Sequence, residues 1–146
     1  MRERDDIDRL HDEIKELVDD LWQVPRFVVA RRGFRPNVDC IRSEDPPELH
    51  VVVELPGVEP ERIQVIAADR VLVIAGERAR PPVEGRYQQM ELEYGRFQRR
   101  ISLAEPIDPS KANAHYDEGL LTIVLPIAAK APKRERVSIS IGFAHE

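Results

Sequence analysis

Short runs in which apolar and polar residues alternate recur between about residues 38 and 127, and they restrict this chain to a fold built from strands. In the run 120–126, one set of alternate positions holds Leu121, Ile123 and Leu125. Because successive strand side chains point to opposite faces, this pattern predicts a strand with one buried face. Twelve prolines in 146 residues also oppose long helices.

The other runs predict how such strands are joined. The stretch 62–80 contains two short apolar runs broken at Ala68–Asp69–Arg70, which predicts a hairpin. The runs 48–55 and 95–103 show the same alternation. Since no helical stretch of crossover length separates the runs, the pattern favours an all-β, two-sheet antiparallel sandwich and disfavours a parallel α/β sheet.

The first 36 residues have a different, helical pattern. Apolar residues recur at spacings of three and four and form one stripe: Ile7, Leu10, Ile14, Leu17 and Leu21. The stripe is too short to be stable alone, and Pro25 opposes its continuation. Two interpretations stay open. The region is either an adaptable apolar arm that contacts other proteins or a helix packed on its own domain.

The connection PPVEGRYQQMELEY, residues 81–94, is long and polar, with weak strand character from Tyr87 to Leu92. Connections of this length are often functional. This one could lie over its own domain or reach across to a neighbouring subunit.

The last region, residues 128–146, begins with a charged, proline-containing spacer that we expect to stay extended. Val137, Ile139 and Ile141 then alternate with serines, which places the three apolar side chains on one side of a strand. The pattern predicts an apolar segment on a tether.

Charge and composition exclude several classes of protein. Lys and Arg number 22 against 27 Asp and Glu, and this mildly acidic balance argues against a nucleic-acid binder. Cys40 is the single cysteine, so an intrachain disulfide is impossible and a reducing compartment is compatible. The charged start and the lack of an 18-residue apolar run predict a soluble, cytoplasmic protein without a membrane span.

No set of residues predicts catalysis. The chain has no P-loop pattern, and its four histidines are not spaced as metal ligands with Cys40. We expect Cys40 to be a half-buried strand residue and not a nucleophile. Asp117–Glu118 precedes Gly119 and predicts a turn. Arg99 shares a face with Phe97 and is expected in an interface ion pair.

Three motifs, in order along the chain, resemble those of small heat-shock proteins of the α-crystallin type, with a bacterial-like arrangement. The first is the Leu-Pro-Gly segment at residues 55–57, and the second is Gly-X-Phe-X-Arg at residues 95–99. The third is alanine, four residues, glycine, any residue and leucine, at Ala114, Gly119 and Leu121. An Ile-X-Ile anchor follows in the tail. Ala104 and Glu118 depart from the usual pattern.

The resemblance implies an immunoglobulin-like antiparallel β-sandwich, the α-crystallin domain, over residues 37–127. It would be preceded by a helical arm at residues 1–36 and followed by an extended tail at residues 128–146. The implied function is that of an ATP-independent holding chaperone that forms dimers and larger homo-oligomers. Its partners would be itself and non-native client proteins, with no cofactor, metal, nucleic acid, membrane or small-molecule substrate.

The resemblance also implies roles for particular residues. The tail anchor comprises Val137, Ile139 and Ile141, in either of two frames, and docks in a groove of a neighbouring dimer formed by Ile63, Val65, Leu121 and Ile123. A strand lent to the partner would use Tyr87, Gln88, Met90 and Leu92, with Arg99 as the interface arginine. The client-binding arm would use Leu17, Leu21, Trp22, Phe27 and Phe34.

Three other functions fit the sequence less well. A co-chaperone or adaptor with the same sandwich would bind one folded partner, but it needs neither an apolar arm nor an Ile-X-Ile tail. An enzyme on a sandwich scaffold would need a convergent polar site, which the sequence does not provide. Membrane association through the arm is disfavoured by the acidic side of the predicted helix.

Overall fold

The computed structural model describes residues 33–129 and 136–143. These residues form nine strands: β1 Val38–Ser43, β2 Glu48–Glu54, β3 Ile63–Ala68, β4 Val71–Arg78, β5 Gly95–Ser102, β6 Asn113–Asp117, β7 Leu120–Pro126, β8 Val137–Ser138 and β9 Ile141–Phe143. Two 3-10 turns, Pro60–Arg62 and Pro109–Lys111, are the only helical elements in the described ranges. The helix predicted in the N-terminal region falls mainly on residues 1–32 and lies outside them.

The strands form two sheets, in the orders β1-β2-β7-β6-β9 and β5-β4-β3-β8. Every pairing is antiparallel except that of β6 with β9. The predicted all-β, two-sheet sandwich is therefore confirmed.

The core between the sheets is built from the alternate positions identified in the sequence. On β7, the side chains of Leu121, Ile123 and Leu125 are fully buried, while Thr122 and Val124 are only partly covered. The apolar positions of β2 behave in the same way, and Phe97 of β5 is among the largest buried side chains. Apolar burial on one face of each strand is what stabilises the sandwich.

Both predicted turns are present. Asp69 and Arg70 join β3 to β4, and Glu118 and Gly119 join β6 to β7. In the second turn the φ angles of Glu118 and Gly119 are 51° and 79°. Two successive left-handed residues match the right-handed twist of a two-residue hairpin, which explains the glycine.

A short segment before β1 closes one side of the sandwich. The amide of Phe34 donates to the carbonyl oxygen of Arg96 at 3.0 Å, and Arg99 Nη1 donates to the carbonyl oxygen of Pro36 at 2.7 Å. The Phe34 ring meets the Phe97 ring edge to face, with centroids 5.9 Å apart. Residues 34–36 therefore pack against β5 as part of the sandwich.

The exposure of Cys40 differs from the sequence-based prediction. Cys40 lies on a strand, as predicted, but it is exposed and not half-buried. The reason is the position of β1, which is the outermost strand of its sheet and is largely exposed on both faces.

Candidate functional site

The C-terminal segment 136–143 lies along the open side of the sandwich opposite residues 34–36. Its first strand, β8, pairs with β3, with Val137 opposite Ala67 and Ser138 opposite Ile66. The amide of Ile139 then donates to the carbonyl oxygen of Val65 at 2.9 Å. The tail thus supplies backbone hydrogen bonds to the outer edge of β3.

The same segment also reaches the other sheet. Strand β9 pairs with β6 in parallel, with Ile141 opposite Ala114 and Gly142 opposite His115. Because β3 and β6 belong to different sheets, the eight tail residues 136–143 connect the edges of the two sheets.

The side chains show which frame of the tail enters the core. Ile139 is only 7% exposed and belongs to the main core cluster, and Ile141 is partly buried and packs against that cluster. Val137 is partly buried but is not among the residues packed on the cluster. Ser138 and Ser140 are exposed. In this structure the Ile139/Ile141 frame is the one inserted.

The four groove residues of the sequence analysis fall on two different kinds of strand. Ile63 and Val65 lie on β3, directly at the margin that the tail contacts, and both are buried. Leu121 and Ile123 lie on β7, one strand inward, where they are fully buried in the cluster that includes Ile139.

Strand β6 was not identified from the sequence as the second strand that the tail contacts. The run 113–117 carries little apolar alternation, and Ala114 is its one fully buried residue. The available signal was the turn at Glu118–Gly119, since a hairpin there requires a strand on each side. That strand, and not β7, is the one beside the tail.

The connection between β4 and β5, residues 79–94, contains no regular secondary structure. It exposes apolar side chains to solvent, including Tyr87, Met90 and Leu92, the last of which is 67% exposed. Gln88 is exposed as well. The predicted weak strand at Tyr87–Leu92 is therefore absent from this single chain.

Arg99, assigned by resemblance to a subunit interface, contacts its own chain in this structure. It is partly buried on β5, and its guanidinium donates to the Pro36 carbonyl oxygen. The expected interface ion pair is not among the contacts of this single chain's described residues.

Strand β1 is the margin at the far end of the five-stranded sheet. Ile41 there is 52% exposed, and Arg42 Nε donates to Glu105 Oε1 at 2.5 Å while Nη1 contacts Glu44. The hydrogen bond from Arg42 lowers the pKa of Glu105. Although Cys40 is exposed as a residue, partial desolvation by its neighbours raises the pKa of its thiol. A raised thiol pKa disfavours the thiolate, so Cys40 is a poor nucleophile.

Of the arm residues proposed to bind clients, only Phe34 lies within the described residues. Its ring packs against the core cluster and against Phe97. Leu17, Leu21, Trp22 and Phe27 lie outside the described ranges.

The described part of the chain contains no group of three or more His, Cys, Asp or Glu residues placed to hold a metal ion. No helix within the same ranges is long and apolar enough to cross a membrane.

A two-sheet sandwich whose open margin is covered by a short Ile-X-Ile segment defines a class of protein-interaction domain. Comparison with known families identifies it more closely. The model of the Hsp20/alpha crystallin family matches residues 41–142, and this chain belongs to that family. The small heat-shock resemblance of the sequence motifs is thereby confirmed, and membership places the chain among chaperones of the stress response.

Individual relatives agree with this assignment. The 18 kDa heat shock protein of Streptomyces albus G is 37% identical over 98 residues, which cover 65% of this chain and 67% of the relative. Among solved structures, heat shock protein 16.0 from Schizosaccharomyces pombe has a TM-score of 0.60 at 32% identity, over 73% of this chain and 98% of that one. A small heat-shock protein from Xylella fastidiosa, whose structure is described as a distinct high order structure, has a TM-score of 0.55 at 32% identity, over 70% and 94%.

Proposed function

We propose that this protein is an ATP-independent holding chaperone of the cytoplasm that binds partly unfolded proteins and prevents their aggregation, acting as a dynamic homo-oligomer. The observation that carries the proposal is the cover of the open side of the sandwich by a short tail segment, residues 137–143. A short segment can detach without unfolding the sandwich beneath it. The proposed compartment agrees with a single cysteine.

The physical basis of this proposal is that an uncovered apolar edge of a sheet promotes aggregation. A strand edge that exposes unpaired backbone groups and apolar side chains is a template for aggregation unless it is covered. A segment that adds to the edge as a strand satisfies the backbone, and its alternate side chains enter pockets. Burial of two isoleucines contributes about 3–6 kcal/mol before the entropy of ordering the segment is subtracted. A single such contact is therefore reversible.

In the proposed oligomer, the tail of a neighbouring dimer occupies this position. Ile63 and Val65 supply the margin, and Leu121 and Ile123 form part of the apolar floor. Several weak contacts in one particle reinforce one another through effective concentration, so the particle persists while subunits exchange.

The proposed dimer uses strand exchange. The segment from Tyr87 to Leu92 of one subunit adds to the β1 margin of its partner, with Arg99 as the interface arginine. This proposal is supported by exposed apolar groups on both sides, Met90 and Leu92 on the connection and Ile41 on β1. Pairing them would remove apolar area from water in both subunits.

Clients are proposed to bind the arm and the grooves that exchange uncovers. The arm residues in the proposal are Leu17, Leu21, Trp22, Phe27 and Phe34. Unfolding proteins expose apolar surface and would meet these residues before they meet one another.

The test is the heat-induced aggregation of a thermolabile enzyme, followed by light scattering without ATP. We expect suppression at one chaperone subunit per enzyme subunit, and unchanged scattering would contradict the holding function. Native mass spectrometry of the same sample reports the assembly, and a monodisperse monomer would favour the adaptor alternative.

A further inference from the structure

A cavity of about 760 Å³ lies at the end of β4, and none of its described lining residues belongs to the tail or to β1. Three arginines line it, Arg62, Arg78 and Arg80, together with Tyr94 and a single carboxylate, Glu59. None of these residues takes part in the functions proposed above.

Two of the arginines are held by aromatic rings. The guanidinium carbon of Arg78 lies 3.9 Å from the Phe34 ring centroid and 5.0 Å from that of Tyr94. Arg80 lies 4.6 Å from the Tyr94 centroid and 5.4 Å from that of Tyr87. Even without Tyr87, which the proposed strand exchange would move to the partner, the side chains Phe34–Arg78–Tyr94–Arg80 form an alternating stack that holds both charges at the wall of the cavity.

Neither Arg78 nor Arg80 forms an ion pair with any residue in the described part of the chain. Arg62 is paired with Glu59, Nε to Oε2 at 3.4 Å. The hydrogen bonds of Arg78 and Arg80 instead go to neutral oxygens, those of the Pro56, Glu93 and Leu92 carbonyls and the Tyr87 hydroxyl. In addition, Nε of Arg78 is buried without a hydrogen-bond partner. Guanidinium groups with unused donors in a concave site are suited to bind carboxylates.

The chain itself carries a matching segment. Residues 1–22 contain nine acidic and four basic residues, which accounts for the whole formal net charge of -5. The path of the chain leads from this segment to the cavity, because Phe34, the second described residue, stacks on Arg78. The eleven residues between this segment and Phe34 span up to about 36 Å when extended, which is enough to bring the carboxylates back to the cavity.

We propose that the cavity formed by Arg62, Arg78 and Arg80 is the docking site of the acidic segment 1–22 of the same chain. Carboxylates of the segment occupy the donors that Arg78 and Arg80 leave free, and the alternating stack keeps those donors in place. The attraction is electrostatic and lies at the surface, so salt weakens it. The site holds the arm against its own sandwich whether or not the arm binds clients.

The test uses the full chain and a carbodiimide that couples a lysine amine to a neighbouring carboxylate. Arg80→Lys places an amine at the cavity, and Arg100→Lys, at an exposed position on β5, is the matched control. We expect peptide mapping to show amide cross-links from position 80 to acidic residues of segment 1–22, at least fivefold more than from position 100. Raising the salt from about 0.05 M to about 0.5 M should reduce the cross-links from position 80 severalfold.

A mixture of isotopically heavy and light chains identifies the source of the segment. Cross-links confined to pairs of equal mass support docking within one chain. Cross-links between heavy and light chains, equal yields from positions 80 and 100, or yields unaffected by salt would each overturn the proposal. The chaperone assay is not used, so failure here is distinguishable from failure of the holding function.

Discussion

The amide of Ile139 donates to the carbonyl oxygen of Val65 at 2.9 Å, and the Ile139 side chain is buried in the same core cluster as Val65. One tail residue thus satisfies a backbone group at the margin of β3 and fills space between the two sheets. The backbone hydrogen bond fixes the register of the tail on β3, and burial of the Ile139 side chain provides the affinity of docking.

This relationship predicts that the double substitution Ile139→Ala with Ile141→Ala dissociates the assembly. Removal of a buried isoleucine side chain costs about 2–5 kcal/mol, and the partly buried Ile141 adds a smaller loss. The free energy of tail docking is of the same order, so we expect much smaller particles by dynamic light scattering.

The matched control is Ser138→Ala with Ser140→Ala, which changes the alternate, exposed residues of the same segment. These serines point away from the core, so particle size should stay that of the wild type. If the isoleucine variant also kept the wild-type particle size, the tail would have no role as an anchor.

A second prediction concerns the connection between β4 and β5. The change Met90→Asp with Leu92→Asp puts charges on two exposed apolar side chains that the proposed strand exchange would bury. Burial of an unpaired charge is strongly unfavourable, so we expect monomers in analytical ultracentrifugation at micromolar concentration. Ile41→Asp, on the proposed acceptor strand, should have the same effect. Dimers in both variants, with Glu91→Gln as the neutral control, would contradict strand exchange through these residues.

A third prediction separates the arm from the sandwich. Deletion of residues 1–32 should leave a folded dimer with weakened client protection. Deletion of residues 1–36 also removes the Phe34 ring and the Pro36 carbonyl group bound by Arg99, which should lower the free energy of unfolding by about a further 2 kcal/mol. Urea unfolding followed by circular dichroism measures the difference. Equal midpoints for the two deletions would mean that residues 33–36 contribute nothing to the sandwich.

The sequence predicted most of the sandwich because its strands obey local rules. Alternation located the buried faces of β2 and β7, the break at Ala68–Asp69–Arg70 located one hairpin, and Asp117–Glu118 before Gly119 located a turn. These signals depend only on the period of a strand and on turn geometry, so they can be read without knowledge of the fold.

The docking site of the tail was less predictable, because it depends on which strands lie at the edges of the two sheets. Strands β6 and β7 are adjacent in the chain, but only β6 meets the tail, and no local pattern distinguishes an inner strand from an outer one. The exposure of Cys40 was missed for the same reason. The alignment of Phe34, Arg78 and Tyr94 joins three distant segments, which only the folded chain brings together.

A fourth prediction follows from the lowered pKa of Glu105. The hydrogen bond from Arg42 favours the ionised carboxylate in the folded state, so its contribution to stability is present above the ordinary pKa of glutamate and is lost as pH falls through the lower folded value. Glu105→Gln should therefore lower the urea midpoint at neutral pH, and its deficit relative to the wild type should shrink in acid. Glu84→Gln, in the exposed connection, is the control. A deficit independent of pH would show that the ion pair is not its cause.

A fifth prediction concerns Gly76, the one buried glycine of β4. A Cβ atom there would lie 2.2 Å from the carbonyl oxygen of Arg62 and 2.8 Å from Cζ of Phe97. Alanine in a strand gains about 0.5–1 kcal/mol over glycine by restricting the unfolded chain, but a clash with backbone cannot be relieved by a rotamer change and typically costs about 1–3 kcal/mol or more. The steric cost is larger than the gain, so Gly76→Ala should lower the free energy of unfolding measured in urea. Gly142→Ala is the control, because its Cβ would meet the nearest atom, the Ala114 carbonyl oxygen, at an ordinary 3.9 Å. Equal stability of the two variants would show that Arg62 and the turn it belongs to move aside freely.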